Sequence, residues 1–217
     1  MKILVLGAGG GVGRQVVRQA AEAGHEVTAL SRRPVDGADN GRVRGVVDDV
    51  LRDGCFDEHV KGHDVIVSAL GLQRRQPVNP WSRVTGPADF TSRTARGLVA
   101  AMRAHGVTRV AAVSAAGVGA SAARMNLLMR GLVATSSIGI AYRDLDVMEQ
   151  VYRHSGLDTC CVRPTRLTDG PLTRAVHVSG AFGLNAAISR ADVAWWMLRA
   201  FDDDPFTQVE PIITNTD

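Results

Sequence analysis

Residues 3–13 read Ile-Leu-Val-Leu-Gly-Ala-Gly-Gly-Gly-Val-Gly, and an amphipathic stretch, Arg14 to Ala23, follows. An apolar run, a glycine cluster and an amphipathic run in that order predict strand, tight turn and helix, an arrangement suited to a phosphate. Gly7 lets the chain turn sharply off the strand. Gly10 lacks the Cβ that would keep backbone amides away from a pyrophosphate, and Gly13 lets the new helix pack close to the sheet. The amides that open the helix, those of Gly11 and Val12 among them, attract anions with the helix dipole behind them. The plainer alternative is a tight turn with no ligand. The position at the first strand favours the cradle.

Further residues choose among nucleotides. Dinucleotide folds that prefer NAD carry an acid at the end of the second strand, bonded to the ribose 2′-hydroxyl. Here that strand ends Leu30-Ser31-Arg32-Arg33. Two guanidiniums stand where a 2′-phosphate would lie, and a planar, permanently charged fork suits phosphate. NADP(H) is the expected cofactor, against the alternative of two solvated loop arginines. The third strand ends Val46-Val47-Asp48-Asp49-Val50. Asp49 can bond an adenine amino group and Val50 can pack on the ring, or Asp49 is only a turn acid before a helix. Ser68-Ala69-Leu70-Gly71 closes the fourth strand with residues small enough for a cofactor to lie across it.

The elements that must hold these residues alternate along the chain. Strands are expected at Lys2 to Leu6, Glu26 to Leu30, Val43 to Val47, Asp64 to Leu70, Arg109 to Ser114, Asp158 to Val162 (stopped by Pro164) and Val209 to Thr214. Helices are expected at Ala88 to His105, Ala122 to Ala134, Tyr142 to His154 and Ala191 to Phe201, the last opened by a Ser189–Asp192 capping box. Strand–helix alternation predicts an α/β fold, a Rossmann-type doubly wound parallel sheet in a single domain. The 71–87 and 115–140 stretches are too long for plain connections and are expected, with 163–185, to wall a substrate pocket.

Bulk properties exclude several classes. A chain of 217 residues that is 45% hydrophobic suits one domain with a sizeable core. No apolar run approaches a membrane span, and the N-terminal run leads into glycines instead of a cleavage site, so a cytoplasmic protein is expected. Net charge is +3, with scattered basic residues that are nearly all arginine, so no nucleic-acid partner is expected. Cys55, Cys160 and Cys161 form no metal spacing and read as small buried hydrophobes. With scattered histidines as well, no metal site is expected.

Taken together, these motifs resemble the atypical short-chain dehydrogenase/reductases, in particular the NAD(P)H-binding group that includes flavin reductases of the biliverdin-IXβ reductase type. The likeness runs through the glycine turn, Arg32, Asp49-Val50, residues 104–110 and Ser155-Gly156-Leu157. It continues through Arg163-Pro164-Thr165-Arg166-Leu167-Thr168-Asp169-Gly170-Pro171 and Ile188-Ser189-Arg190-Ala191-Asp192-Val193. The resemblance implies that the turn after the sixth strand closes over a nicotinamide, with Pro164 and Thr165 flanking the ring. A histidine of that group is replaced here by Arg166, which orients or stabilises an oxyanion but does not donate a proton at neutral pH.

Conventional members of the superfamily use a Tyr-x-x-x-Lys pair, in which lysine lowers the tyrosine pKa. Here Tyr142 is followed at that spacing by Asp146, and the only lysines are Lys2 and Lys61. The triad is absent. Candidate catalytic residues are Ser114, to bond a substrate carbonyl, with Tyr142 and Arg166. Flavins, quinones and conjugated ketones need little acid catalysis, because the product charge delocalises. The expected activity is NADPH-dependent reduction of a small aromatic or quinone-like acceptor by a monomer or homodimer. The alternative is a non-catalytic NADP(H)-binding redox sensor.

Overall fold

The computed structural model describes residues 1–37, 41–76, 79–183 and 185–215. Pro77 and Val78 of the 71–87 stretch and Leu184 of the 163–185 stretch lie outside the described residues. In chain order the elements are β1 (Lys2–Leu6), α1 (Gly11–Glu22), β2 (Glu26–Ser31), β3 (Val43–Val47), α2 (Cys55–His59), β4 (Val65–Ser68), α3 (Phe90–His105) and β5 (Arg109–Val113). A 3₁₀ helix (Gly119–Arg124) leads to α4 (Leu127–Thr135), α5 (Ile138–Arg153), β6 (Asp158–Pro164), β7 (Arg166–Thr168), β8 (His177–Val178), β9 (Ala187–Ser189), α6 (Arg190–Arg199) and β10 (Ile212–Thr214).

The main sheet runs β3-β2-β1-β4-β5-β6-β10-β8, parallel apart from the antiparallel β8 at its edge, and β7 pairs with β9 alone. The strand order reverses between β1 and β4, which is where a doubly wound sheet opens a crevice at its carboxyl ends. Because successive strand side chains face opposite ways, each apolar strand feeds two cores. Ile3 and Val5 join Val65, Val67, Ala111 and Cys160 under α1 and α6. Leu4 and Leu6 join Ile66, Val110, Ala112 and Cys161 under α3 and α5. The three cysteines are buried free thiols, and burial pushes the Cys160 thiol up to about 12. Trp196 packs against the first core, and Arg199 lies over the Trp195 ring.

The structure departs from the expected elements at several places. The expected helix Ala122 to Ala134 is two pieces, because Met125 is extended and Asn126 caps a new helix by accepting from Met129 N at 2.9 Å. None of the α4 side chains is buried, and Leu127 is 83% exposed. α5 begins at Ile138, so Tyr142 lies inside it instead of opening it. β6 continues through Pro164: Arg163 N and Thr165 N reach β10 and its approach, while the missing proline N–H falls between them. Strand β4 is shorter than expected, and β10 starts only at Ile212, although Val209 O and Pro211 O already accept from β6.

The capping box at α6 is half formed. Ser189 Oγ accepts from Asp192 N at 2.9 Å, but Ser189 N donates to Asn215 Oδ1. The buried Asp192 carboxylate instead accepts from Thr173 N, Arg174 N and Thr173 Oγ1, tying the 163–185 segment to α6. In the same manner α3 has no cap of its own. Asp144 of α5 accepts from Thr91 N and Ser92 N, satisfying donors at the helix start.

Candidate functional site

At the carboxyl ends of β1, β2 and β4 lies a cleft of about 560 Å³. Its floor is the glycine turn. Gly7 has φ +76°, open to glycine at no steric cost, and Gly7 N and Ala8 N both donate to Leu30 O. A Cβ at Gly13 would stand 2.2 Å from Gly7 O, so α1 meets the turn more closely than any side chain allows. α1 starts without a side-chain cap and without an acid in its first turn. Its first amides are therefore available to an anion.

Of the cofactor candidates, Gly7, Gly10, Ser31, Arg32, Arg33, Val50, Ala69, Leu70 and Gly71 line this cleft. Arg32 and Arg33 are exposed. Arg32 Nη2 donates to Gln73 Oε1 at 2.8 Å, and among the described residues neither arginine pairs with a carboxylate. The Ser31 hydroxyl turns back onto Arg33 O. Gly11 and Val12 form the start of α1 with Gly13, and Val12 and Gly13 are buried under the turn. Asp49 is exposed and accepts from Leu51 N in a local turn.

Asp48, not Asp49, faces the cleft. Its carboxylate accepts a two-pronged bond from Arg52, at 2.8 and 2.6 Å, and lies 2.9 Å from His59 Nε2. The Arg52 fork holds it well below the usual carboxylate range. Asp48, Cys55 and His59 bring three potential metal donors within 4.8 Å of one another, a convergence that spacing alone did not suggest. The guanidinium already neutralises the carboxylate, and burial, with Asp48 beside it, keeps the Cys55 thiol up at about 12, so the trio reads as an ion-pair cluster. His59 and His63 stand four apart, an H-x-x-x-H spacing. α2 ends at His59 and the rings diverge, His63 Nε2 lying 2.9 Å from Thr28 Oγ1.

The catalytic candidates lie beyond the lining of this cleft, at the ends of β5 and β6. Ser114 is buried, and its Oγ donates to Glu149 Oε1 at 2.6 Å. Glu149 also receives the Arg163 fork, from Nε at 2.9 Å and Nη2 at 2.6 Å, and Arg163 reaches on to Glu210. Ser114 therefore offers the site a lone pair, since its proton is committed. The Tyr142 hydroxyl donates to Ala116 O at 3.0 Å. Its pKa is pushed up by burial, not by Asp146, whose carboxylate accepts from Gln150. Tyr142 lines a separate recess with Gly117, Met125 and Asp146. Pro164 and Thr165 are buried at the end of β6, and Arg166 is exposed on β7. Thr165 Oγ1 is a buried hydroxyl with no hydrogen-bond partner among the described residues.

Sequence reasoning missed Arg14, Phe90 and Gln73, all in the cleft wall, and Glu149 behind Ser114. Arg14 follows the last glycine directly and was open to inspection. Glu149 carried no local signal.

A phosphate-ready glycine turn at the topological switch point of a parallel sheet defines a dinucleotide-binding domain. A family model described as NAD(P)H-binding matches residues 7–204, and the chain belongs to that family. Among solved structures it is similar to an anaerobillin reductase, ChuY, from Escherichia coli O157:H7, at 21% identity over 100% of this chain and 98% of that one (TM-score 0.80). It is also similar to the oxidoreductase ylbE from Lactococcus lactis, at 18% identity over 100% and 92% (TM-score 0.79). A short-chain dehydrogenase/reductase from Veillonella parvula DSM 2008 in complex with NADP matches at 20% identity over 98% and 93% (TM-score 0.75). At these identities the likeness shows the fold. The residues present fit the cofactor: α1 opens uncapped beside a glycine turn packed so close that a Cβ at Gly13 would stand 2.2 Å from Gly7 O, and Thr165 Oγ1 is a buried hydroxyl left over for a polar partner.

Among the described residues no helix is long and apolar enough to cross a membrane.

Proposed function

We propose that this protein is an NADPH-dependent reductase that passes hydride to a small planar acceptor, a flavin, quinone or conjugated ketone, without a Tyr-x-x-x-Lys pair. The observation that carries the reading is the end of β2, where Arg32 and Arg33 line the cleft beside the glycine turn and the strand end Leu30-Ser31 carries no acid. The neighbours named as a reductase and as an NADP complex support it.

The bound cofactor supplies the hydride from its reduced nicotinamide, and the chain does the rest. Arg32 and Arg33 hold the 2′-phosphate. The opening amides of α1 hold the pyrophosphate. Val50 packs on the adenine at the cleft wall, and the small residues Ala69 and Gly71 leave room across the strand ends with Leu70. Pro164 and Thr165 close on the nicotinamide, with the free Thr165 hydroxyl as its polar contact. Arg166 stabilises negative charge on the reduced acceptor. Ser114 Oγ, whose proton goes to Glu149, does not bond a substrate carbonyl as expected but accepts from a ligand N–H, such as a flavin imide or the nicotinamide carboxamide. The described parts of 71–87, 115–140 and 163–185 wall the acceptor.

The second reading, a non-catalytic NADP(H) sensor, is favoured by one observation: the Ser114 and Tyr142 protons are both engaged inside the protein. Following NADPH absorbance with a panel of quinones, flavins, conjugated ketones and bilins separates the two. Turnover on an acceptor, with NADPH preferred to NADH, is expected. Saturable NADPH binding without turnover on any acceptor moves the protein to the sensor reading, and binding of neither nucleotide overturns both.

A further inference from the structure

Arg190 opens α6, far along the chain from the glycine turn, yet its side chain lies on that turn. An ideal Cβ at Gly11 would stand 2.6 Å from Arg190 Cδ and 2.7 Å from its Nε. Gly11 is the first helical residue of α1 and has no positive φ, so its backbone does not require glycine. What requires glycine there is the room taken by Arg190.

The guanidinium then extends to Asp169, with Nη1 2.6 Å from Oδ1. That carboxylate side chain is 90% exposed, and an ion pair to so exposed a partner contributes little. A cation over the start of a helix is also on the unfavourable side of its dipole. Neither contact explains why an arginine is placed there. An anion between the two does: the amides of α1 would approach it from below and the guanidinium from above, each favourable to negative charge.

We propose that Arg190 is a phosphate ligand that closes the pyrophosphate site from the α6 side, and that Gly11 is glycine to admit it. Asp169 keeps the guanidinium within reach. The inference rests on the cleft holding NADP(H), and it adds a third arginine with a task distinct from that of Arg32 and Arg33: those read the 2′-phosphate, and Arg190 reads the pyrophosphate.

The test is calorimetric titration of the full chain, Arg190→Ala, Gly11→Ala and the double variant, with NADP⁺ and with 2′-AMP, which keeps the adenine and 2′-phosphate but has no pyrophosphate. Thermal melts confirm that each variant folds. Gly11→Ala leaves Arg190 in the chain and only pushes it off the turn. Each single variant is expected to lose about tenfold or more in NADP⁺ affinity, the effect of one charge-assisted hydrogen bond to phosphate, while 2′-AMP binding changes less than about twofold. The double variant is expected to be no worse than the poorer single one, because both remove the same contact. Wild-type NADP⁺ affinity retained in Arg190→Ala overturns the inference and leaves the cofactor reading intact. Equal losses for NADP⁺ and 2′-AMP overturn it as well, since they show a general disturbance of the cleft. Wild-type protein that binds neither ligand overturns the inference together with the cofactor reading.

Discussion

Along the carboxyl edge of the sheet, the ends of β1, β2 and β4 and the ends of β5 and β6 treat polar groups in opposite ways. At the first, Arg14, Arg32 and Arg33 face a cleft with no carboxylate partner among the described residues, over a helix start that carries no cap. At the second, Ser114, Glu149, Arg163 and Glu210 are joined in one buried network, and Tyr142 is bonded to Ala116. A surface that must take up an anion has to leave donors available. A buried end of the same sheet has to satisfy every group it encloses, because an unpaired one loses its hydration without compensation. Thr165 Oγ1, buried and unpartnered, stands where the second rule lapses, at the expected nicotinamide end.

If that division is right, substitutions at the two ends should separate cleanly into stability and binding. Glu149→Ala should have the largest effect, about 3–5 kcal/mol of lost stability by urea unfolding, because it removes both Arg163 bonds to Glu149 and the Ser114 acceptor and leaves the buried guanidinium with Glu210 alone. A loss below about 1 kcal/mol would show that the network is not closed. Gly13→Ala follows, since its Cβ would press on Gly7 O: about 1–3 kcal/mol of stability, with weakened NADPH binding because the turn itself moves. Arg32→Ala should spare stability and lower NADPH affinity about ten- to hundredfold, with NADH little changed. Equal losses for the two nucleotides in a titration would remove Arg32 from the 2′-phosphate.

Two smaller effects sharpen the contrast. The Asp48 carboxyl is held low by Arg52 in the folded state, against an ordinary unfolded value of about 3.9. A depressed folded pKa means that its contribution is complete above about pH 4 and is lost as pH falls through the folded value. The difference in urea midpoint between wild type and Asp48→Asn should be constant near neutrality and shrink only in acid. Tyr142→Phe should cost least, about 0.5–1.5 kcal/mol for one hydrogen bond, and leave the rate of NADPH oxidation unchanged. A large fall in that rate, with NADPH binding intact, would put the phenol into the chemistry and break the comparison.

Much of the first region was readable because its rules are local. A strand, a glycine whose φ must be positive and a helix without a capping acid are set by residues next to one another, and β1 and β3 lie at their expected bounds. The second region was not readable in the same way. Ser114 was visible at its strand end, but Glu149 reaches it only because α5 packs beneath β5 and β6. Asp192 showed the limit within a single motif: Ser189 caps α6 as its spacing implies, while the Asp192 carboxylate serves Thr173, Arg174 and the Ser189 hydroxyl instead of the Ser189 backbone N–H.

The sequence by itself determined the parallel α/β domain, the glycine turn at Gly7 to Gly13, the arginines that follow β2 and the lack of a lysine one turn after Tyr142. Each of these depends on neighbouring residues, through backbone freedom, periodicity and charge. Only the tertiary structure decided which acid of Asp48-Asp49 faces the cleft, where the protons of Ser114 and Tyr142 go, and that Arg190 lies on Gly11. Those are contacts between segments distant in the chain, fixed by how helices seat on the sheet, and no local spacing encodes them.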